Sequence, residues 1–429
     1  MFDKNNEIHA GGENGNSQRT PKEGENYELY TEKIIVNPFV KYKKVMGVFK
    51  FIVAAVVFGL IASFVMAFTY PWLVAQRAEE AAKKELEFKK DEYPTENIGT
   101  ETEAADVSHE NATEDETVER QLSYTEVIEK IKKSVVTITN GSGSVNEAVS
   151  DEEQGKATVG VIIGELDNRY IILTNNNAVS SFEEKYVVIS DNTEIKAEFI
   201  SSDNETNIAL IDIAVENIPL DERLDIDVAQ LDNSYLVKQG DAFIAMGRLY
   251  GKTKSADHGY VTGITSESGI DNAYGIIDTG IRALFGDYCF LFNMSGNVIG
   301  VSRAIEENTT LKANGISDLK SMIEKLSADA EIVYLGIKGT NVTTSMAIKY
   351  ALPYGIYIKE VALDSPAFRA GIQAGDVVTV FNGDSVLTIQ SFSERLYRCS
   401  SGQDVTITVK RPGVSEYKEL TFTAKLSVR

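Results

Sequence analysis

Chemistry that needs a proton shuttle, a nucleophile or a metal has little to work with in this sequence. Histidine, the side chain that most readily exchanges protons near neutral pH, occurs only as His9, His109 and His258. Of these, His258 alone falls in a stretch patterned like a folded domain, just ahead of the run GYVTGI, where it reads as a surface loop residue. The two cysteines, Cys289 and Cys399, stand more than a hundred residues apart and make no disulfide framework. Cys/His spacing of the metal-binding type is absent, so neither a metal nor a cofactor is expected. Asp278-Thr279-Gly280 is a triplet that, beside a second copy, lets two carboxylates share one proton. With a single triplet this chemistry would require a symmetric dimer, and three-residue matches arise easily by chance.

The elements that must position these residues are mostly short strands. From Ser134 to about Val301 the chain runs through SVVTIT, TVGVII, YIILT, YVVIS, EIKAEFI, NIALIDI, DAFIAM, GYVTGI, YGIIDT and NVIGVS, separated by turn residues. Many short β-branched runs at modest spacing predict an all-β barrel or sandwich. Apolar residues at helical spacing predict three helices. They are Tyr124–Lys133 with Val127, Ile128 and Ile131 on one face, Ser317–Leu326 with Leu319, Ile323 and Leu326, and Ile389–Arg398 with Ile389, Phe392 and Leu396. The fold class is mainly β.

Phe51–Tyr70, FIVAAVVFGLIASFVMAFTY, is the one uncharged run long enough to cross a bilayer, ~30 Å as a helix. A cleaved signal peptide is the weaker reading, because about fifty residues precede the run and it exceeds the ~7–15 residues of a signal core. Lys41, Lys43, Lys44 and Lys50 crowd its amino-terminal flank, as the positive-inside rule has it for a cytoplasmic start. The expected organisation is a disordered cytoplasmic tail (1–44), a transmembrane helix (45–74), and a juxtamembrane helix with an acidic linker (75–120). Two folded regions follow at 121–328 and 329–429. The helix is expected over Ala75–Lys89, which is rich in strong helix formers, and the linker is expected to act as a flexible spacer. A net charge of −22 argues against nucleic acid as a partner.

In residues 122–328, six pieces in order resemble the trypsin-like domain of the HtrA (DegP-like) serine proteases. These are TVGVII at 158–163, YIILTNNNAVS at 170–180, TNIALIDI at 206–213, QGDAFIAMG at 239–247, GYVTGI at 259–264 and NMSGNVIGV at 293–301. The resemblance implies a double β-barrel and a Ser-His-Asp triad. On this mapping the family histidine falls on Asn177 and the family aspartate on Asn207, and an amide side chain is no general base. The nucleophile motif falls on LFGDYCFLFN, Leu284–Asn293, with the serine position on Asp287 or Tyr288. Cys289 could serve as a shifted nucleophile only with a base to activate it, which Asn177 does not supply. The domain therefore reads as a pseudoprotease with no catalytic residues.

Residues 331–429 resemble the PDZ domain that follows the protease in the same family, chiefly through SPAFRAGIQAGDVVTVFNGDSV at 365–386 and YLGI at 334–337. The resemblance implies that Tyr334, Leu335, Gly336 and Ile337 form a carboxylate-binding loop for a peptide's C-terminus, with backbone N–H groups as donors. Ile337, Phe392 and Leu396 would form the pocket for its last side chain.

Taken together, the expectation is a single-pass protein of the bacterial cytoplasmic membrane. Its C-terminal domains are extracytoplasmic and bind C-terminal or unfolded polypeptide segments as a scaffold, receptor or regulator. The alternative is an active serine-type endopeptidase of the same family in envelope protein quality control. A homo-oligomer, or a mixed oligomer with an active paralogue, is left open.

Overall fold

The computed structural model describes residues 84–94, 123–141, 157–190, 193–303 and 309–429. The expected tail, the Phe51–Tyr70 span and most of the acidic linker lie outside them. Among the described residues no helix is long and apolar enough to cross a membrane.

The helix Tyr124–Lys132 begins at a capping box: Ser123 Oγ accepts the Glu126 N–H, and the Glu126 carboxylate accepts the Ser123 N–H. It buries Val127 and Ile131. Seven strands follow: β1 (Val135–Thr139), β2 (Ala157–Leu166), β3 (Arg169–Asn175), β4 (Tyr186–Ser190), β5 (Thr193–Lys196), β6 (Glu198–Asp203) and β7 (Ile208–Ala214). Their order in the sheet is β5-β4-β1-β2-β3-β7-β6. The two edge strands are consecutive in sequence, joined only by Ala197, so the sheet curls until its edges meet at a covalent corner. Ile195 of β5 and Ile211 of β7 accordingly share one core.

A second set closes fully. β8 (Ala242–Leu249), β9 (Lys252–Ser268), β10 (Ala273–Arg282), β11 (Tyr288–Phe292), β12 (Val298–Ser302) and β13 (Thr310–Gly315) form a hydrogen-bonded barrel in the order β10-β13-β12-β11-β8-β9. The expectation of two barrels is thus met by one closed ladder and one sheet closed only at its corner. β8 and β9 turn tightly through Tyr250 and Gly251, both at positive φ (56° and 75°), the geometry a two-residue hairpin favours. His258 lies inside β9 rather than in a loop, because the pairing with β8 extends well ahead of GYVTGI.

In the C-terminal domain, β15 (Ile337–Asn341), β16 (Ile356–Val361), β17 (Val377–Phe381), β19 (Asp404–Pro412) and β20 (Tyr417–Lys425) form a sheet in that order, with β18 (Asp384–Ser385) on β17. A short pair, β14 (Val333–Tyr334) with β21 (Ser427–Val428), ties the domain's start to its end. The helix Ile389–Tyr397 buries Ile389, Phe392 and Leu396 in the domain's core. This domain is packed on the preceding one: Arg429 donates to Asp203 and Glu205, and the Lys325 ammonium donates to the Cys399 carbonyl at 2.9 Å.

Residues 84–94 correct one expectation. Over 84–89 the predicted helix is absent; the segment has no regular secondary structure and lies as a strap on the folded core. Leu86 is buried and Phe88 half-buried, alternating with exposed Glu85 and Glu87. The Leu86 N–H donates to Ser327 Oγ at 2.8 Å and the Phe88 N–H to Glu324 at 2.7 Å, both on the helix Lys320–Ser327. Packing of alternate side chains against a partner outweighs the few tenths of a kcal/mol per residue that helix propensity offers.

Candidate functional site

Asn177 and Asn207 are brought together. Asn177 lies in the one-turn helix Asn176–Ser180 that follows β3, with its side chain exposed. Its backbone N–H donates to the Asn207 side-chain oxygen at 2.8 Å. Asn207 sits at φ 60°, a left-handed conformation that asparagine tolerates better than most residues. The pair fixes the loop as an acid at 207 would, but neither amide can take up a proton near neutral pH.

The segment Leu284–Asn293 is not an open nucleophile loop. A turn over 284–287 feeds straight into β11, in which all five residues are buried. Side chains alternate along that strand: Tyr288, Phe290 and Phe292 enter the core shared with the first sheet, while Cys289 and Leu291 fill the second barrel. Opposite Cys289 stands Gly247, where an added Cβ would lie 2.5 Å from the Cys289 Cα, so only glycine lets these strands pair. Asp287 is 4% exposed, and its carboxylate accepts N–H groups of Leu284 (2.9 Å), Tyr250 (3.0 Å) and Gly251 (3.2 Å). It clamps the turn to the β8–β9 hairpin.

Burial pushes the Cys289 thiol far above its ordinary value, the opposite of what a nucleophile needs. Burial likewise raises the Tyr288 phenol. Disulfide-exchange reagents are therefore expected to leave Cys289 unmodified in the native protein and to react only after denaturation; rapid native labelling at Cys289 would contradict this geometry. The remaining isolated residues are occupied elsewhere. His258 stacks its ring on Tyr124, with centroids 4.6 Å apart, and Asp278 pairs with Lys312 at 3.1 Å within the β10–β13 ladder. A cleft of about 930 Å³ is lined by Asn207 with Glu267, Arg303 and Arg429, but not by Asp287, Tyr288 or Cys289.

The loop of the C-terminal domain is the best-formed polar site. Gly336 takes φ 94°, and a Cβ there would fall 2.2 Å from the Ser365 Cβ. The loop carbonyls are held from behind, that of Leu335 by the Ala367 N–H and that of Gly336 by the Ala362 N–H. The N–H groups of Leu335, Gly336 and Ile337 converge on one carboxylate, that of Asp271 in the tip between β9 and β10, at 2.7 to 3.0 Å. Burial raises Asp271 to about 6 against the pull of these donors and of Arg429. Tyr334 stands half-buried at the loop's entrance, paired with Ser427. Phe392 and Leu396 are fully buried beside Ile337.

Residues 158–301 match the model of the trypsin-like peptidase domain, and residues 333–426 match that of the PDZ domain. In this pairing of domains the chain resembles the HtrA-like proteins. It is 25% identical to the serine protease Do-like HtrA of Bacillus subtilis, over 72% of this chain and 73% of that one. To the probable periplasmic serine endoprotease DegP-like of Pseudomonas savastanoi it is 28% identical, over 59% of this chain. The HtrA-like chain spans only 53% of the Pseudomonas protein. Among solved structures, the HtrA-type protease AlgW with decapeptide aligns over 72% of this chain and 99% of its own at 20% identity, with a TM-score of 0.48.

Two functional features escaped the sequence reading: Asp271 as the carboxylate in the loop, and the strap at residues 84–94. Alternation of Leu86 and Phe88 was a usable signal for the second. Nothing local marked the first.

Proposed function

We propose that this HtrA-like protein is a membrane-anchored pseudoprotease that displays a peptide-binding PDZ domain outside the cytoplasmic membrane, as a scaffold, receptor or regulator. One observation carries the loss of catalysis: where the family has its nucleophile, this chain has Asp287 clamped by three backbone N–H groups and then a buried strand. Asn177 and Asn207 in the base and orienting positions support the same reading. The convergent N–H groups of Leu335, Gly336 and Ile337 support carboxylate recognition at the PDZ loop.

The Phe51–Tyr70 run serves as anchor, and the periplasmic relatives favour an extracytoplasmic platform. Because residues 84–94 belong to the platform, the tether from the span is the stretch 75–83. At ~3.4 Å per residue that stretch reaches roughly 30 Å. The platform is held near the membrane and is not released on a long spacer.

Full-length protein in detergent, treated with a fluorophosphonate probe and incubated with casein, is expected to show neither labelling nor cleavage. Cleavage that disappears in Asp287→Ala or Cys289→Ala would establish the enzyme reading instead.

A further inference from the structure

The tip between β9 and β10 belongs to the trypsin-like domain, yet its acid lies inside the neighbouring one. Asp271 is 2% exposed, and its backbone N–H donates to the Ile337 carbonyl at 2.7 Å while its carboxylate fills the loop. The last residue of a bound peptide offers the same two groups, an N–H for the strand and a carboxylate for the loop. The contacts continue back along the tip. Ser268 Oγ donates to the Gly339 carbonyl of β15 at 3.0 Å, and the Ile270 N–H donates to Glu205 at 2.9 Å. On the other side of the groove, Ser393 Oγ of the helix Ile389–Tyr397 donates to the Asp271 carbonyl. Ala273 joins the cluster that contains Ile337, Phe392 and Leu396.

A tip held this way blocks the groove. Three buried N–H groups donate to only one carboxylate at a time, and leaving them unpaired costs the desolvation of each. Exchange of one carboxylate for another avoids that cost, so the groove opens most readily when a second carboxylate arrives.

We infer that Ser268–Asn272 is a built-in occupant of the PDZ groove, with Asp271 standing in for a terminal carboxylate, and that a polypeptide with a free C-terminus binds by displacing it. This rests on the reading of the PDZ domain as a peptide binder. The occupied groove lowers apparent affinity by the fraction of molecules in which the tip is released, and displacement also breaks the Ile270 N–H bond to Glu205, two residues from Asn207. Occupancy of the PDZ domain is thereby reported to the loop that carries the degenerate triad.

The test uses the full chain in detergent, as wild type, Asp271→Ala and Asp271→Asn, with a fluorescein-labelled pool of heptapeptides ending in Val, Leu, Ile or Phe. The same pool with amidated C-termini runs in parallel. Both variants are expected to bind the free-carboxylate pool at least tenfold more tightly than wild type, and the amidated pool not at all. Hydrogen exchange over residues 333–340 is read on the same samples: faster in the variants, and slowed again by the free-carboxylate pool. Asp271→Asn retains the volume of the side chain and guards against a fold lost in Asp271→Ala. Equal, carboxylate-dependent binding by all three proteins would leave the PDZ reading standing and overturn the built-in occupant. Binding that ignores the free carboxylate would overturn the PDZ reading. In that case the exchange data decide the occupant alone, and unchanged exchange at 333–340 would sink it.

Discussion

Asp91→Ala is expected to destabilise the protein by about 3–5 kcal/mol, the cost of leaving a buried charge without its partner. Asp91 and Lys320 meet at 2.6 Å with both side chains 7% exposed. Ser317 Oγ also donates to Asp91 at 2.6 Å, and among the described residues the Lys320 ammonium has its second acceptor in the Lys89 carbonyl at 3.3 Å. Removing the carboxylate strands an ammonium that water cannot reach while the strap stays docked. Release of the strap is the alternative outcome, since it restores water to Lys320. It forfeits burial of Leu86, worth about 1.5–3 kcal/mol, and exposes Ser327 and Glu324. Urea melts give the first outcome as a lower midpoint at unchanged slope; trypsin cutting at Lys89 or Lys90 of the otherwise folded protein gives the second. The paired change Asp91→Asn with Lys320→Met removes both charges and is expected to recover most of the loss. A double variant no more stable than Asp91→Ala would show that the charge pair is not what holds the strap.

How legible this arrangement was in the sequence depends on how local its causes are. The PDZ motif was readable because its positions serve their own neighbourhood: Ser365 caps the helix Pro366–Ala370, and Asp376 holds the Gln373 N–H and pairs with Arg411. Strands of the first sheet were readable where β-branched residues dominate, as in β3 and β7. β11 was not, because YCFLF buries both of its faces and gives no alternation to read. In 284–293 the family's loop motif and the apolar run competed for the same residues, and packing decided for the strand.

The strap and the Asp271 contact were hidden for a different reason. AQRAEEAAKKELEFK carries the composition of a helix, and only the placement of Leu86 and Phe88 betrays a segment that packs every second side chain. Asp271-Asn272 reads as ordinary turn chemistry, which it also supplies: Asp271 takes φ 59°, and Asn272 accepts the Ala273 N–H through its side chain. The three donors that bind Asp271 lie more than sixty residues further on, in another domain. No periodicity or spacing encodes such a contact. Asn177 and Asn207, by contrast, were singled out from the order of short motifs along the chain, and the structure joins them through the Asn177 N–H, which donates to the Asn207 side-chain oxygen.

Acidification is expected to close the PDZ groove. Docked, Asp271 takes up its proton at about 6; released into water, it reverts towards its ordinary value of 3.8. Between those values the docked tip binds more protons than the free one, so lowering the pH favours docking, and raising it through 6 withdraws that advantage. The free peptide's carboxylate stays ionised down to about 3.5, and at the loop it lacks the cover of the displaced tip, so burial raises it less than Asp271 and the window between pH 7 and 5 belongs to the tip. Across it the free-carboxylate pool is expected to bind wild type roughly tenfold more weakly at pH 5 than at pH 7. Other charged and titratable groups face the same place: Arg429, which lowers the Asp271 value, together with Tyr397, Asp203 and Glu205. Glu205 accepts the Ile270 N–H and pairs with the Arg429 guanidinium. Asp271→Asn is expected to bind with a flat profile over this range, and Glu205→Gln to retain the wild-type slope. A slope that persists in Asp271→Asn would assign the titration to a neighbour and remove Asp271 from the pH response.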